Sequence, residues 1–68
     1  MIAQFYGNKK YIFRKKLYQR FWDRFSPQWC DIIDGQMVKV IDKDNAICIV
    51  DNNVFYVSPR WCEEVQDE

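Results

Sequence analysis

The chain has 68 residues, of which 49% are hydrophobic and 18% aromatic, and its ten basic residues balance ten acidic ones. This length allows one domain, close to the lower limit at which a core is stable without disulfides or metals. The longest apolar run, Ala46–Val50, is far shorter than the about 18 residues that span a membrane. No signal peptide is apparent at the N-terminus, so we expect a cytoplasmic protein without membrane contact.

The reactive side chains are few. The chain has no histidine and three cysteines, Cys30, Cys48 and Cys62, without Cys-x-x-Cys spacing. Structural zinc sites bring their ligands in close pairs, so we expect no metal and no cofactor, and the cysteines are expected to act as small apolar core residues. The sequence contains no catalytic motif either. We therefore expect a protein that is not an enzyme, with no catalytic residue.

The first thirteen residues carry strand signals. Residues 2–6 are apolar enough for a short strand, and Gly7-Asn8 is a turn signal. Residues 9–13 are either a second strand or the approach to a helix. This segment is the least defined part of the sequence.

Residues 13–25 predict an amphipathic helix, because their apolar positions recur every four residues. The helix is expected to have about three turns and to end before Pro27, which cannot continue it. Its rings are expected to pack against the rest of the protein, which leaves a basic face for partner contact. The apolar positions are Phe13, Leu17, Phe21 and Phe25, with Tyr18 and Trp22 beside them, and the candidate partner-binding residues are Lys15, Lys16, Gln19, Arg20 and Arg24.

The second half predicts a meander of short antiparallel strands joined by tight turns. Asp34-Gly35-Gln36, residues 42–45 and Asp51-Asn52-Asn53 are the turn signals, and asparagine tolerates the left-handed backbone that tight hairpins need. A sheet this small gains most by curling into a barrel that closes its edges. The predicted strands are 29–33, 37–41, 46–50, 54–57 and 61–65.

A six-residue pattern, Ser-Pro-x-Trp-Cys-acid, occurs at residues 26–31 and again at 58–63. If residues 29–33 and 61–65 are the first and last strands of the barrel, the repeat marks their pairing. Pro27 and Pro59 would then fix the approach of each strand through their restricted φ, and Trp29 and Trp61 would pack onto one end of the core. The alternative is that the two tryptophans form an exposed recognition platform.

Charge divides the sequence at the first copy of this pattern. The segment before Ser26 carries seven basic residues and one acid, whereas the remainder carries three basic residues and nine acids. A molecule polarised in this way would be steered towards a charged partner. Asp42, Asp44 and Asp51, on the predicted hairpin loops, are therefore further partner-binding candidates.

Several of these features resemble the small SH3-like barrel family. The resemblance covers about residues 29–65 and rests on Gly35-x-x-Val38-x-Val40, two tight hairpins and the break at Ser58-Pro59-Arg60. It implies a one-turn 3₁₀ helix before the last strand. The Ala-Leu-Tyr-Asp-Tyr motif of signalling SH3 domains is absent, so polyproline binding is not implied. Small charged chains of this type also resemble accessory proteins of phages and mobile elements.

The expected fold class is thus α+β, a small SH3-like antiparallel β-barrel with one N-terminal amphipathic basic helix. One domain is expected, with a basic aromatic segment at 1–25 and the barrel at 26–68. Two function classes fit the sequence. The first is a non-enzymatic protein-binding module, an inhibitor or modulator of a larger partner. The second is a nucleic-acid-binding accessory protein that uses the basic helix. The oligomeric state is not predicted.

Overall fold

A computed structural model describes residues 2–65 as five strands, two helices and one 3₁₀ turn. The α+β class is therefore confirmed. No helix among these residues is long and apolar enough to cross a membrane. In chain order the elements are β1 Lys10–Phe13, α1 Lys15–Phe21, α2 Gln28–Ile33, β2 Met37–Val40, β3 Ala46–Val50, β4 Asn53–Val57, the 3₁₀ turn Pro59–Trp61 and β5 Cys62–Val65.

The five strands form one antiparallel sheet in the order β4-β3-β2-β1-β5. β1 lies between β2 and β5, and its register with β5 runs from Lys10 opposite Val65 to Phe13 opposite Cys62. The predicted closed barrel is wrong, since β4 and β5 form the two edges of an open sheet. The last strand does pair with the first, but the first strand is supplied by the N-terminal segment and not by residues 29–33.

Residues 29–33 are helical, contrary to the strand prediction. Pro27 precedes the helix with a φ of −70°, which is the value that proline fixes and that a helix start accepts. Cys30 and Ile33, three residues apart, are both fully buried, and this spacing places them on one face of a helix. The strand prediction rested on the repeat shared with residues 61–65, but packing of this face decides for the helix.

The predicted helix at 13–25 is wrong at both ends. Phe13 belongs to β1 and is fully buried, and α1 contains seven residues. After α1 the chain turns, with left-handed φ values of 49° at Asp23 and 66° at Arg24. The predicted strand at 2–6 is also absent. Phe5 is buried there, and its N–H donates to the carbonyl of Lys43 at 2.8 Å.

The hairpin predictions are confirmed. β3 matches its predicted bounds, β4 begins one residue earlier and β2 ends one residue earlier than predicted. Asp51 and Asn52 form the turn between β3 and β4, with left-handed φ values of 50° and 66°. Val50 and Asn53 are paired directly across this turn. A 3₁₀ turn, Pro59–Trp61, precedes the last strand.

The core lies between the inner face of the sheet and the two helices. All three cysteines are free and buried within it. No buried polar or charged residue occurs among the described residues. The buried residues are Phe5, Tyr11, Phe13, Leu17, Cys30, Ile33, Ala46, Cys48, Val57 and Cys62, with Pro59 beside them.

Candidate functional site

The two copies of the repeat fold into the same local turn. In each copy the cysteine N–H donates to the proline carbonyl, from Cys30 to Pro27 at 3.0 Å and from Cys62 to Pro59. Both cysteines are fully buried. After the cysteine the copies diverge, because the first continues as α2 and the second enters β5. The repeat therefore specifies a local Pro-x-Trp-Cys turn and does not specify which element follows that turn.

This turn brings the two tryptophans together in an aromatic cluster. The ring centroids of Trp29 and Trp61 are 6.2 Å apart. Tyr18 of α1 packs edge-on against both, at 4.8 Å from Trp61 and 5.3 Å from Trp29. Trp29 also contacts Phe13 of β1 at 5.8 Å and stacks on Phe55 of β4 at 6.4 Å. The two tryptophans are half-buried, and the cluster links both helices to the sheet.

The charge division of the sequence is partly cancelled where the two segments meet in the sheet. Pairing of β1 with β5 brings Arg14 Nε within 3.0 Å of Glu63 Oε1 and Lys9 Nζ within 3.2 Å of Glu64 Oε1. Basic residues of the first segment are thus neutralised by acids of the second. Both ion pairs join partly exposed side chains and add little to the backbone pairing that joins β5 to β1.

Lys15 is likewise engaged within the protein. Its side chain pairs with Asp31 of α2, and its backbone N–H donates to Asp34 Oδ1 at 2.9 Å. The hydrogen bond and charge of Asp31 raise the pKa of Lys15 above its ordinary value. Lys15 therefore connects α1 to α2 and is separated from the other predicted partner-binding residues.

The remaining four predicted residues of the basic helix lie together. Lys16, Gln19, Arg20 and Arg24, with Asp23, line one open depression of about 600 Å³. Gln19 Nε2 donates to Ser26 Oγ at 3.2 Å, which fixes the turn that carries Arg24 against α1. None of the three cations is in an ion pair within residues 2–65.

Three aromatic rings of the same segment are exposed, and one of them, Phe21, lines a separate depression with Ile2, Ala3 and Arg60. The exposed fractions are 42% for Phe21, 52% for Trp22 and 65% for Phe25, so the prediction that Phe21 and Phe25 pack inside is wrong. The cause is the short helix: only Leu17 of its apolar stripe is buried. We call these rings, together with Lys16, Arg20 and Arg24, the aromatic–basic surface.

The three acidic candidates are not brought together as a site. Asp42 accepts hydrogen bonds from the N–H of Asp44 at 2.8 Å and from Asn45 Nδ2 at 3.0 Å, and these bonds lower its pKa. Asp51 occupies a left-handed turn position. Asp42 and Asp51 thus shape the hairpin loops, and Asp44 lines a shallow groove beside Trp61 and Tyr56.

The cysteines are held as neutral thiols. Burial, followed by the charge of Asp31, raises the pKa of Cys30 to about 11, and burial raises that of Cys62 to about 12. A thiol must ionise to act as a nucleophile or metal ligand. Within residues 2–65, no group of three or more cysteine or acidic side chains is placed to hold a metal ion.

A second exposed apolar area was not identified from the sequence. The outer faces of β3 and β4 present Ile49, Val54 and Tyr56 with exposed fractions of 59%, 49% and 69%. The available signal was that both alternating faces of these strands are apolar, whereas in a strand with one solvated face apolar residues alternate with polar ones.

Comparison with protein-family models, curated proteins and solved structures gave no match.

Proposed function

We propose that this protein is a non-enzymatic protein-binding module that contacts a larger partner through the aromatic–basic surface. The observation that carries the proposal is the exposure of Phe21, Trp22 and Phe25, at 42% to 65%, in a chain whose core is small. Burial of a large ring stabilises a protein by about 2 kcal/mol. Leaving three such rings in water is costly to so small a domain unless a partner covers them.

The chemistry of this surface favours a protein partner. Trp and Arg are enriched among the residues that dominate binding energy at protein interfaces, and Arg20, Trp22 and Arg24 lie within one five-residue segment here. Lys9, Arg14 and Lys15 are paired with acids inside the protein, so three of the ten basic residues are not available to follow a phosphate backbone. The partner surface expected from this composition is acidic, with an apolar pocket for a ring.

The finer description is an inhibitor or modulator of that partner. A small module without its own chemistry acts by occupying a surface, and the aromatic–basic surface is the one proposed to do so here. The SH3-like relationship is part of the same proposal. It is supported by the three-strand meander, by the 3₁₀ turn Pro59–Trp61 and by the pairing of β5 with β1.

The test begins with the capture of binding proteins from a cell extract with the full chain, and it continues with binding measurements on the captured partner. Trp22→Ala/Phe25→Ala should weaken binding about 30-fold if one of the two is a hot-spot residue and about a thousandfold if both are, because each hot-spot residue contributes about 2 kcal/mol. Both side chains are more than half exposed, so the fold should persist, and circular dichroism would check it. Met37→Ala/Ile41→Ala removes two comparably exposed apolar side chains elsewhere. Equal affinity of the two double variants for the partner would refute the proposed surface.

Nucleic-acid binding is the second candidate, because exposed rings beside Lys16, Arg20 and Arg24 can stack on bases while the cations contact phosphates. A gel-shift titration with single-stranded and double-stranded oligonucleotides at low salt tests it. Binding should fall steeply with salt and be lost in Arg20→Glu/Arg24→Glu. Absence of a shift with either oligonucleotide at low salt would remove this candidate.

A further inference from the structure

The β4 edge of the sheet is open and carries none of the features that usually protect an edge strand. Within residues 2–65, β4 pairs with β3 on one side only. Its five residues, Asn53–Val57, include no charge and no proline, and all of them are in register with β3. Natural proteins protect exposed edges with charges, prolines or bulges. This edge therefore resembles a surface built to receive another strand.

The hairpin turn determines which backbone groups of β4 point outward. Val50 and Asn53 flank a two-residue left-handed turn, and residues that close such a turn exchange hydrogen bonds with each other. Bonded and non-bonded pairs then alternate along the hairpin. Consequently the backbone groups of Asn53, Phe55 and Val57 bond to β3. The N–H and C=O groups of Val54 and Tyr56 lie in the plane of the sheet and point outward from its open edge.

The side chains of the same two residues are exposed on the outer face. Val54 is paired with Ile49 and Tyr56 with Ile47, so this face of the hairpin is apolar throughout. On the other face, Phe55 is half-buried against Trp29. An open apolar groove of about 220 Å³ runs along the strand between Trp29, Val54, Phe55 and Tyr56.

We propose that β4 pairs antiparallel with β4 of a second copy of this chain, about a two-fold axis at Phe55. In this register Val54 lies opposite Tyr56 of the second copy, and Tyr56 opposite Val54. Each of these pairs exchanges both hydrogen bonds, so every outward-pointing backbone group of Val54 and Tyr56 is satisfied. One continuous sheet then runs through both copies.

Several features of the strand favour a second copy over an unrelated segment. Val54 and Tyr56 are placed symmetrically about Phe55, so the same strand supplies both sides of each pair. Self-pairing places no like charges opposite each other. A two-fold contact uses the whole edge and closes the assembly.

The register gives a specific charge-exchange experiment on the full chain. Val54→Lys/Tyr56→Lys places lysine opposite lysine in both cross-strand pairs, whereas Val54→Lys/Tyr56→Glu places lysine opposite glutamate. Both variants remove the same two exposed apolar side chains. Sedimentation equilibrium from about 10 µM to about 1 mM should show wild type reaching twice the chain mass of 8.3 kDa. The dimer Kd of the Lys/Lys variant should be about tenfold or more above that of wild type. The Lys/Glu variant should regain much of the affinity that the Lys/Lys variant loses.

Met37→Lys/Ile41→Lys is the matched control, since it adds two lysines at exposed apolar positions away from the edge and should leave the dimer intact. Thermal unfolding followed by circular dichroism checks that each variant is folded. A wild-type mass of 8.3 kDa at every concentration would overturn the proposal. So would a mass that keeps rising without a plateau, or equal Kd values for the Lys/Lys and Lys/Glu variants. These outcomes are independent of the aromatic–basic surface, which none of the substitutions changes.

Discussion

The two edges of the sheet are built in opposite ways. β5 carries Glu63 and Glu64, and each is held by a cation from the N-terminal segment, at 3.0 Å from Arg14 and 3.2 Å from Lys9. β4 carries no charge, and Val54 and Tyr56 are exposed along it. Charged side chains discourage a further strand from pairing with an edge, whereas an uncharged apolar edge invites one. The same sheet thus has one protected edge and one receptive edge.

This difference also explains the charge division of the sequence. The excess of basic residues before Ser26 and of acids after it would predict a dipolar molecule if the two segments lay apart. In the fold, β1 and β5 are neighbours, so part of the opposite charge is paired along one edge. Three further cations of the first segment, Lys16, Arg20 and Arg24, lie together at the depression beside α1.

The largest effect is expected from the tryptophans of the repeat, because each one supports a different edge. Trp29 stacks on Phe55 of β4, whereas Trp61 directly precedes β5 and packs on Tyr18. Trp29→Ala should cost about 3 kcal/mol of unfolding free energy, which is comparable with the whole stability of about 3–5 kcal/mol expected at this size. Trp61→Ala should cost less, because fewer rings pack on it. Guanidinium unfolding of both variants measures the two losses.

Hydrogen exchange shows whether each tryptophan acts on its own edge. In Trp29→Ala the amide of Phe55 should exchange faster relative to that of Glu63, and Trp61→Ala should show the reverse. Uniform acceleration of both amides in both variants would contradict the assignment of one tryptophan to each edge. A variant that melts like wild type would instead place that tryptophan in a surface site.

An intermediate effect is expected from pH, since a buried thiol of β5 titrates only when the protein unfolds. The pKa of Cys62 is raised from 9.0 to about 12, and that of Cys30 from 9.0 to about 11. Above pH 9 the unfolded chain releases these protons while the folded protein keeps them, so the unfolded state binds fewer protons and stability falls as pH rises. The stabilisation that comes from these protonated thiols is complete below pH 9, and it is lost progressively as the pH rises to the pKa values of the folded protein.

Guanidinium unfolding below pH 9 and near pH 11 measures this loss. Cys30→Ala/Cys62→Ala is the control. Cys48, Tyr18 and Lys15 also have raised pKa values and should keep a smaller loss in that variant. An identical pH dependence in the control and the wild type would show that the thiols are not kept protonated by the fold.

The sequence predicted the hairpins well because their signals are local. The turn residues Asp51 and Asn52 adopt left-handed backbone at the expected place, and the apolar segments on either side can only pair with each other. The helical regions were predicted poorly, since the decisive forces there are not local. Phe13 fits a helix stripe by spacing, but its burial between β2 and β5 makes it a strand residue.

In the candidate site too, some features follow from local spacing, whereas others depend on how distant segments pack. The cluster of Lys16, Gln19, Arg20 and Arg24 follows from their spacing on one segment, and the structure places them together. The pairing of Lys15 with Asp31 depends on where α2 lies, which no local pattern specifies. Exposure of Phe21 and Phe25 could not be predicted either, because it results from the early end of α1.

The smallest effect is expected at the turn that sets the register of β4. Asn52 has a φ of 66°, and glycine is favoured at this second position of a type I′ turn. Asparagine tolerates the left-handed region better than most residues, so Asn52→Gly should stabilise the protein by only about 0.5 kcal/mol. Asn53→Gly, one residue later and inside β4, should instead destabilise it by about 0.5–1 kcal/mol. Thermal unfolding of the two variants shows whether each substitution raises or lowers the stability. If both changes shift stability in the same direction, the turn does not lie at 51–52. The outward assignment of Val54 and Tyr56, and with it the edge pairing, would then fail.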